Sequence, residues 1–246
     1  MSKRLIWIGT LALVAAGIAA TLWLQRPRPA AVGFTQLVTR ANGLLEAGDA
    51  AAAIDVYTEA LRVSPESIDV RLNLANAALR ADRPQDAARF AQGVLSLDPN
   101  NAAAHYLLGC ALLRQNQPGP ASEAFQQSWR IEPGIPTLDF QMGMAQQQLG
   151  HMAEAIGLFE QVVRAAPDHP SAHYQLAQLY RRAGRADDAT RALAAHQQVL
   201  ARSGNAVVTV ADLERCKHTE PLAPFVLAQP DPQGLAVRFS DQTASV

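Results

Sequence analysis

The sequence predicts an all-α fold: a right-handed α-α superhelix of five helical hairpins, preceded by one transmembrane helix and followed by an irregular, proline-rich tail. Two ladders predict the hairpins. Pro65, Pro99, Pro133 and Pro167 stand 34 residues apart, and Ala53, Ala87, Ala121, Ala155 and Ala189 keep the same step. A fixed period of this length marks stacked helical hairpins, each able to bury its apolar face only against a neighbour. The third observation is Leu5 to Leu24, a run of twenty residues without a charge.

That run belongs to the first segment, residues 1–29, read as a short basic stub, a membrane anchor and a linker. Twenty apolar residues at about 1.5 Å each are enough to cross a bilayer core. A cleaved signal peptide is the competing reading, because Lys3-Arg4 makes a basic start and Gly17-Ile18-Ala19 offers a small-x-small site. Thr21-Leu22-Trp23-Leu24 carries the apolar run past that site, with Trp23 where an interfacial aromatic belongs, so the uncleaved anchor is the expectation. Lys3, Arg4 and the amino terminus outweigh Arg26 and Arg28. This bias leaves the amino end in the cytoplasm and the repeats outside it, which in a bacterium means a single-pass inner-membrane protein facing the periplasm. Ala30 to Gly33 follow as a stiff tether.

The repeat region, 30–203, divides into units 34–67, 68–101, 102–135, 136–169 and 170–203. The first helix of each unit carries a small residue at its middle (Ala41, Ala75, Gly109, Gly143, Ala177), and the second carries the laddered alanine near its start. Small side chains at both places let two helix axes approach closely. Tyr57, Phe125, Phe159 and Leu193 fill the space near the middle of the second helix, with only Ala91 undersized; Leu74, Leu108, Met142 and Leu176 recur in the first. The laddered prolines close each unit, whereas Pro84, Pro118, Pro136 and Pro170 fall at predicted helix starts, where a missing amide donor costs little.

These residues resemble the tetratricopeptide repeat family. GDAAAAIDVYTEALRVSP, LGHMAEAIGLFEQVVRAAP and SAHYQLAQLYRRAGRADDA follow its motif, and the match runs from Phe34 to about Arg202. Unit two lacks the aromatic at Ala91, and unit three replaces the usual glycine turn with Asn116-Gln117-Pro118-Gly119-Pro120, so these two units are expected to bend differently.

In such a solenoid the first helices line the concave surface, which is the default binding face. Tyr106, Phe140 and Tyr174 occupy equivalent places in units three to five, each four residues before Cys110, Met144 and Gln178 on the same helix face. Asn42 and Asn76 hold that second place in units one and two. Arg80, Arg114, Arg181 and Arg182 come a turn later and give the groove a basic edge. Such a groove suits an extended or helical peptide carrying carboxylates. The competing reading packs the three aromatics between neighbouring helices and leaves the arginines solvated. Some family members clamp the acidic carboxyl terminus of heat-shock chaperones. Asn42 and Asn73 stand at asparagine places of that clamp, but its basic places are Val38, Ala103 and Leu107, so the clamp itself is not expected.

A net charge of -1 gives no bulk attraction to nucleic acid or anionic lipid. The six histidines (His105, His151, His169, His173, His196, His218) form no zincin motif, and His169 and His173 fall on either side of a predicted helix start. There is no haem-attachment motif, phosphate loop or nucleophile elbow. Neither enzyme activity nor a cofactor, a metal or a small-molecule substrate is expected. Cys110 and Cys216 could pair in an oxidising compartment; the alternative for Cys110 is a small buried apolar residue.

Periodicity ends at Arg202. In the tail, 204–246, a short helical piece around Ala211 to Cys216 precedes a proline-rich run that cannot hold a long helix. Thr219-Glu220-Pro221, Ala223-Pro224-Phe225, Gln229-Pro230-Asp231-Pro232 and Val237-Arg238-Phe239-Ser240-Asp241 resemble the segment that, in a group of bacterial tetratricopeptide proteins, leads into an FG-GAP-type propeller with an ASPIC/UnbV module. The chain stops where the first propeller strand would begin, which implies a truncated product or a separately encoded propeller. Leu222, Phe225 and Leu227 are expected to lie against the solenoid, capping its last unit or entering its groove. The function expected is that of a membrane-anchored periplasmic scaffold binding a protein or peptide in its concave groove. Its rivals are the accessory half of a repeat-propeller protein and an assembly factor holding envelope clients such as cytochromes.

Overall fold

The structure, a computed structural model, describes residues 29–202 and 210–222. Ten helices form five hairpins: α1 (Pro29–Glu46) with α2 (Ala50–Val63), α3 (Ile68–Arg80) with α4 (Pro84–Leu95), α5 (Ala102–Arg114) with α6 (Pro118–Ile131), α7 (Pro136–Gln148) with α8 (Met152–Ala165), and α9 (Pro170–Arg182) with α10 (Ala186–Arg202). A short α11 (Val210–Leu213) and a single 3-10 turn (Lys217–Thr219) complete the described residues, among which there is no strand. Each helix packs on the next, and the first helices of units two, three and four also touch one another, which makes them a continuous inner layer. The anchor predicted at 5–24 lies outside the described residues, and none of the described helices is long and apolar enough to cross a membrane. Helix α1 starts at Pro29, so Ala30 to Gly33 are its opening turn and not a tether.

The ladders explain how the hairpins close. Ala53, Ala87, Ala121 and Ala155 are fully buried, while Ala189, in the last unit with no further hairpin among the described residues, is only partly covered. Phe125 and Phe159 press on the glycines of their partner helices so tightly that a Cβ on Gly109 would lie 2.4 Å from the Phe125 ring, and one on Gly143 2.8 Å from Phe159. The carbonyls of three laddered residues gain donors six positions on. Arg71 donates to Pro65 at 2.7 Å, and the rings of His105 and His173 bond Pro99 and Pro167 at 2.9 and 2.8 Å. The equivalent residue in unit four, Asp139, has no proton to give as a carboxylate, and burial pushes its pKa up.

The turns inside the hairpins are uniform. Gly48, Asp82, Asn116, Gly150 and Gly184 follow the same 34-residue step, and all have positive φ. In each, the next residue's amide reaches five residues back, as in Asp49 to Leu44, Arg83 to Ala78 and Gln117 to Leu112, at 2.8 to 2.9 Å. The expectation that units two and three bend differently is therefore corrected for these turns: Asp82 and Asn116, short polar residues that tolerate the left-handed region, do what glycine does elsewhere. Ala91 is fully buried, and Phe90 beside it packs against the core. Pro84, Pro118, Pro136 and Pro170 sit at helix starts.

Candidate functional site

The inner wall holds a stretch of the chain's own tail. Residues 213–222 cross it from unit four back to unit one, antiparallel to the order of the repeats, and side chains of the first helices bond the tail's backbone. Gln141 on α7 donates to the Leu213 carbonyl at 3.0 Å, and Tyr106 on α5 donates to that of Glu214 at 2.9 Å. Further along, Asn76 on α3 donates to Thr219 at 2.5 Å. Asn73 takes Leu222 at both ends: its amide donates to the carbonyl at 2.9 Å and its oxygen accepts the Leu222 N–H at 2.8 Å. Asn42 reaches the same carbonyl at 3.4 Å and accepts the Tyr57 hydroxyl at 2.5 Å, which fixes its orientation.

Two charged contacts set the register. Arg114, at the end of α5, grips Glu214 through two parallel bonds of 2.8 and 2.7 Å and donates a third to the Leu79 carbonyl. Glu214 is buried and Arg114 largely covered, with side chains 7% and 16% exposed. Burial pushes the Glu214 carboxyl up, against the downward pull of Arg114. On the outer side of the segment Glu132 pairs with Lys217 and stands 3.4 Å from His218. The His218 ring lies against Tyr106, 5.5 Å between centroids, and burial lowers its pKa. Cys110 and Cys216 both lie beside Tyr106 and are unpaired thiols, each held above its ordinary pKa by burial.

The predicted site residues therefore separate. Asn42, Asn76, Tyr106 and Arg114 converge on the tail. Phe140 is 1% exposed and stacks on His169 at 4.7 Å and Phe159 at 5.3 Å, so it is a core residue, with Met144 packed beside it. Tyr174, 44% exposed, contacts His196; Gln178 accepts from Arg181, and Arg80 is exposed near the Tyr57 hydroxyl. Leu222 enters the groove as expected, whereas Phe225 and Leu227 lie outside the described residues. Asn73, known in the sequence only as a clamp position, and Gln141 were not in the predicted groove. They share one repeat position two periods apart, and that equivalence was the available signal. Among the described residues no cluster of His, Cys, Asp and Glu could hold a metal ion.

A tetratricopeptide repeat model matches residues 44–90, 78–146 and 146–206. The chain is a tetratricopeptide repeat protein. Solved tetratricopeptide structures share its fold at low identity. MamA residues 41 to the end, from Desulfovibrio magneticus RS-1, is 21% identical with a TM-score of 0.60, covering 70% of this chain and 98% of its own. PilF from Pseudomonas aeruginosa is 18% identical with a TM-score of 0.61, over 72% and 87%. YrrB, described as a TPR protein with an unusual peptide-binding site, is 21% identical with a TM-score of 0.55, over 66% and 84%. No curated protein sequence matches this tetratricopeptide chain.

Proposed function

We propose that this protein is a membrane-anchored scaffold that holds an extended segment of a partner protein in its concave groove, with the repeats on the periplasmic side of a bacterial inner membrane. One observation carries the binding half: the inner wall grips a peptide backbone through Asn73, Asn76 and Gln141. Main-chain bonds of this kind give affinity without demanding a sequence, and Arg114 adds selection for a carboxylate. YrrB, a fold relative, is described as having a peptide-binding site, which agrees with this use of the groove. The anchoring half rests on Leu5 to Leu24 and the basic residues before it.

A photoreactive residue at Arg80, exposed on the inner helix α3, tests the groove. Its crosslinks to a partner should disappear when excess peptide of sequence 210–222 is added, while crosslinks from Glu123, exposed on the second helix α6, should not change. Capture at Arg80 that the peptide leaves untouched refutes the assignment. For the address, a reporter active only outside the cytoplasm, fused after Val246, should be on.

A further inference from the structure

The groove is occupied, and its occupant shows what it selects. Resting on the binding reading above, we infer that residues 210–222 are a displaceable strap, and that the partner replacing it is a peptide with a glutamate and, three residues on, a lysine, entering with its carboxyl end toward unit one. The two charges are those of Glu214 and Lys217, read by Arg114 and Glu132 respectively. Both readers come from unit three, Arg114 from the end of α5 and Glu132 from the residue capping α6, so a peptide presenting only one charge meets half of the site. Direction follows from the spacing. Eight residues separate the Arg114 contact at Glu214 from the two-sided Asn73 contact at Leu222, which spans from unit three to unit two. A chain laid the other way would bring neither its carbonyls to Tyr106 and Asn76 nor its N–H to Asn73.

The strap is built to leave. It contains one four-residue helix and one 3-10 turn, so releasing it dismantles little regular structure. Among its described side chains Glu214 and His218 are buried and stand outside the apolar core, and Leu213, Cys216 and Leu222 are only partly buried against it. The remaining contacts named above are hydrogen bonds to its backbone, the exposed Lys217–Glu132 pair and the His218 ring on Tyr106, and a second peptide of the same sequence pattern would satisfy each of them. A tethered segment acts at an effective concentration of about a millimolar, so it hides the groove from any competitor of weaker or equal intrinsic affinity.

The test uses a fluorescent peptide of sequence 210–222 and the full chain, wild type and carrying E214Q with K217Q. These substitutions lie outside the repeats, and an unchanged helical circular-dichroism signal below the melting transition verifies that the solenoid is intact, with a modest fall in melting temperature expected from loss of the bound segment. The peptide is expected to bind the substituted chain about tenfold or more tightly than wild type, because the strap no longer competes. On that same chain a peptide carrying E214Q, or the residues in reverse order, should bind at least tenfold more weakly than the wild-type peptide. Saturating wild-type peptide should also strip hydrogen-exchange protection from 210–222 of the wild-type chain. Equal affinity for the two chains overturns the strap, and equal affinity of wild-type and E214Q peptides overturns the charge rule. Either failure leaves partner capture at Arg80 standing, which separates it from failure of the binding reading.

Discussion

Three glycines at the middles of helices give one substitution three different outcomes. Gly157 on α8 has nothing within 4 Å of where a Cβ would stand, Gly143 has the Phe159 ring at 2.8 Å, and Gly109 has the Phe125 ring at 2.4 Å. Replacing glycine by alanine in a helix interior gains about 0.5–1 kcal/mol of helix propensity at each. For ordinary contact at 3.4 Å the Phe159 ring would have to retreat by a little over half an ångström, and the Phe125 ring by a full one. Phe125 has little room, being fully buried with Tyr106 at 5.9 Å. Overpacking of this kind costs about 1–3 kcal/mol. Urea denaturation should therefore rank G157A above wild type by about 0.5–1 kcal/mol, G143A near wild type, and G109A below it by up to about 2 kcal/mol. F125L in the G109A background reproduces the alanine-leucine pair that unit five uses at Ala177 and Leu193, and should recover most of the loss. If G109A is as stabilising as G157A, the close approach of α5 and α6 is not what holds the hairpin together.

Two further outcomes test other layers of the molecule. Asp49 caps α2 by accepting the Ala52 amide at 3.0 Å, so D49A should lower stability by about 1 kcal/mol in the same urea assay, with D49N costing little. Acidification from pH 7.5 toward 6 should loosen the strap. Burial beside Tyr106 holds the His218 imidazole below its ordinary 6.5, with Lys217 acting the same way and Glu132 opposing. As pH falls through 6.5 toward the docked value, the released segment takes up a proton that the docked one refuses, and docking weakens. The Glu214 carboxyl, pushed up by burial, works in the opposite sense and at more acidic pH. The difference between wild type and H218Q, read as hydrogen exchange of 210–222 corrected for intrinsic pH dependence, isolates the imidazole; superimposable profiles refute its role.

The hairpins were legible because each repeat solves the same packing problem, and the solution is written at a fixed interval. Helix starts could be read from Pro84, Pro118, Pro136 and Pro170, and the close contacts from Gly109 and Gly143. The uniform turns were harder to see, because position 116 is asparagine and position 82 aspartate, and only the shared positive φ reveals them as equivalents of Gly48. The site was half legible. Tyr106, Arg114, Asn42 and Asn76 could be found by asking which side chains face inward. Their partners could not, since Glu214 lies 100 residues from Arg114 and Leu222 lies 149 from Asn73, in a segment with no period to give its register.

The fate of the aromatic column shows why facing inward is not enough to make a binding residue. Tyr106, Phe140 and Tyr174 hold one repeat position, yet only the first meets the tail. Phe140 is covered by His169, which caps the next unit's first helix and stacks on the ring, so the solenoid itself uses up that surface. Tyr174 has no sixth hairpin among the described residues to cover it and stays half open beside His196. Tyr106 is packed on Phe125 from one side and His218 from the other, and its hydroxyl is the part that reads the tail. One residue along, the amides of Asn73 and Gln141 do the same with no ring to bury. The ring column of this wall thus mainly packs hairpin on hairpin and contributes to recognition at Tyr106 alone, through its hydroxyl and the ring face against His218. At the position beside it Leu107 packs in the core, but Asn73 and Gln141 turn their amides to the tail, and those two are where a change of partner could be accommodated with least disturbance of the stack.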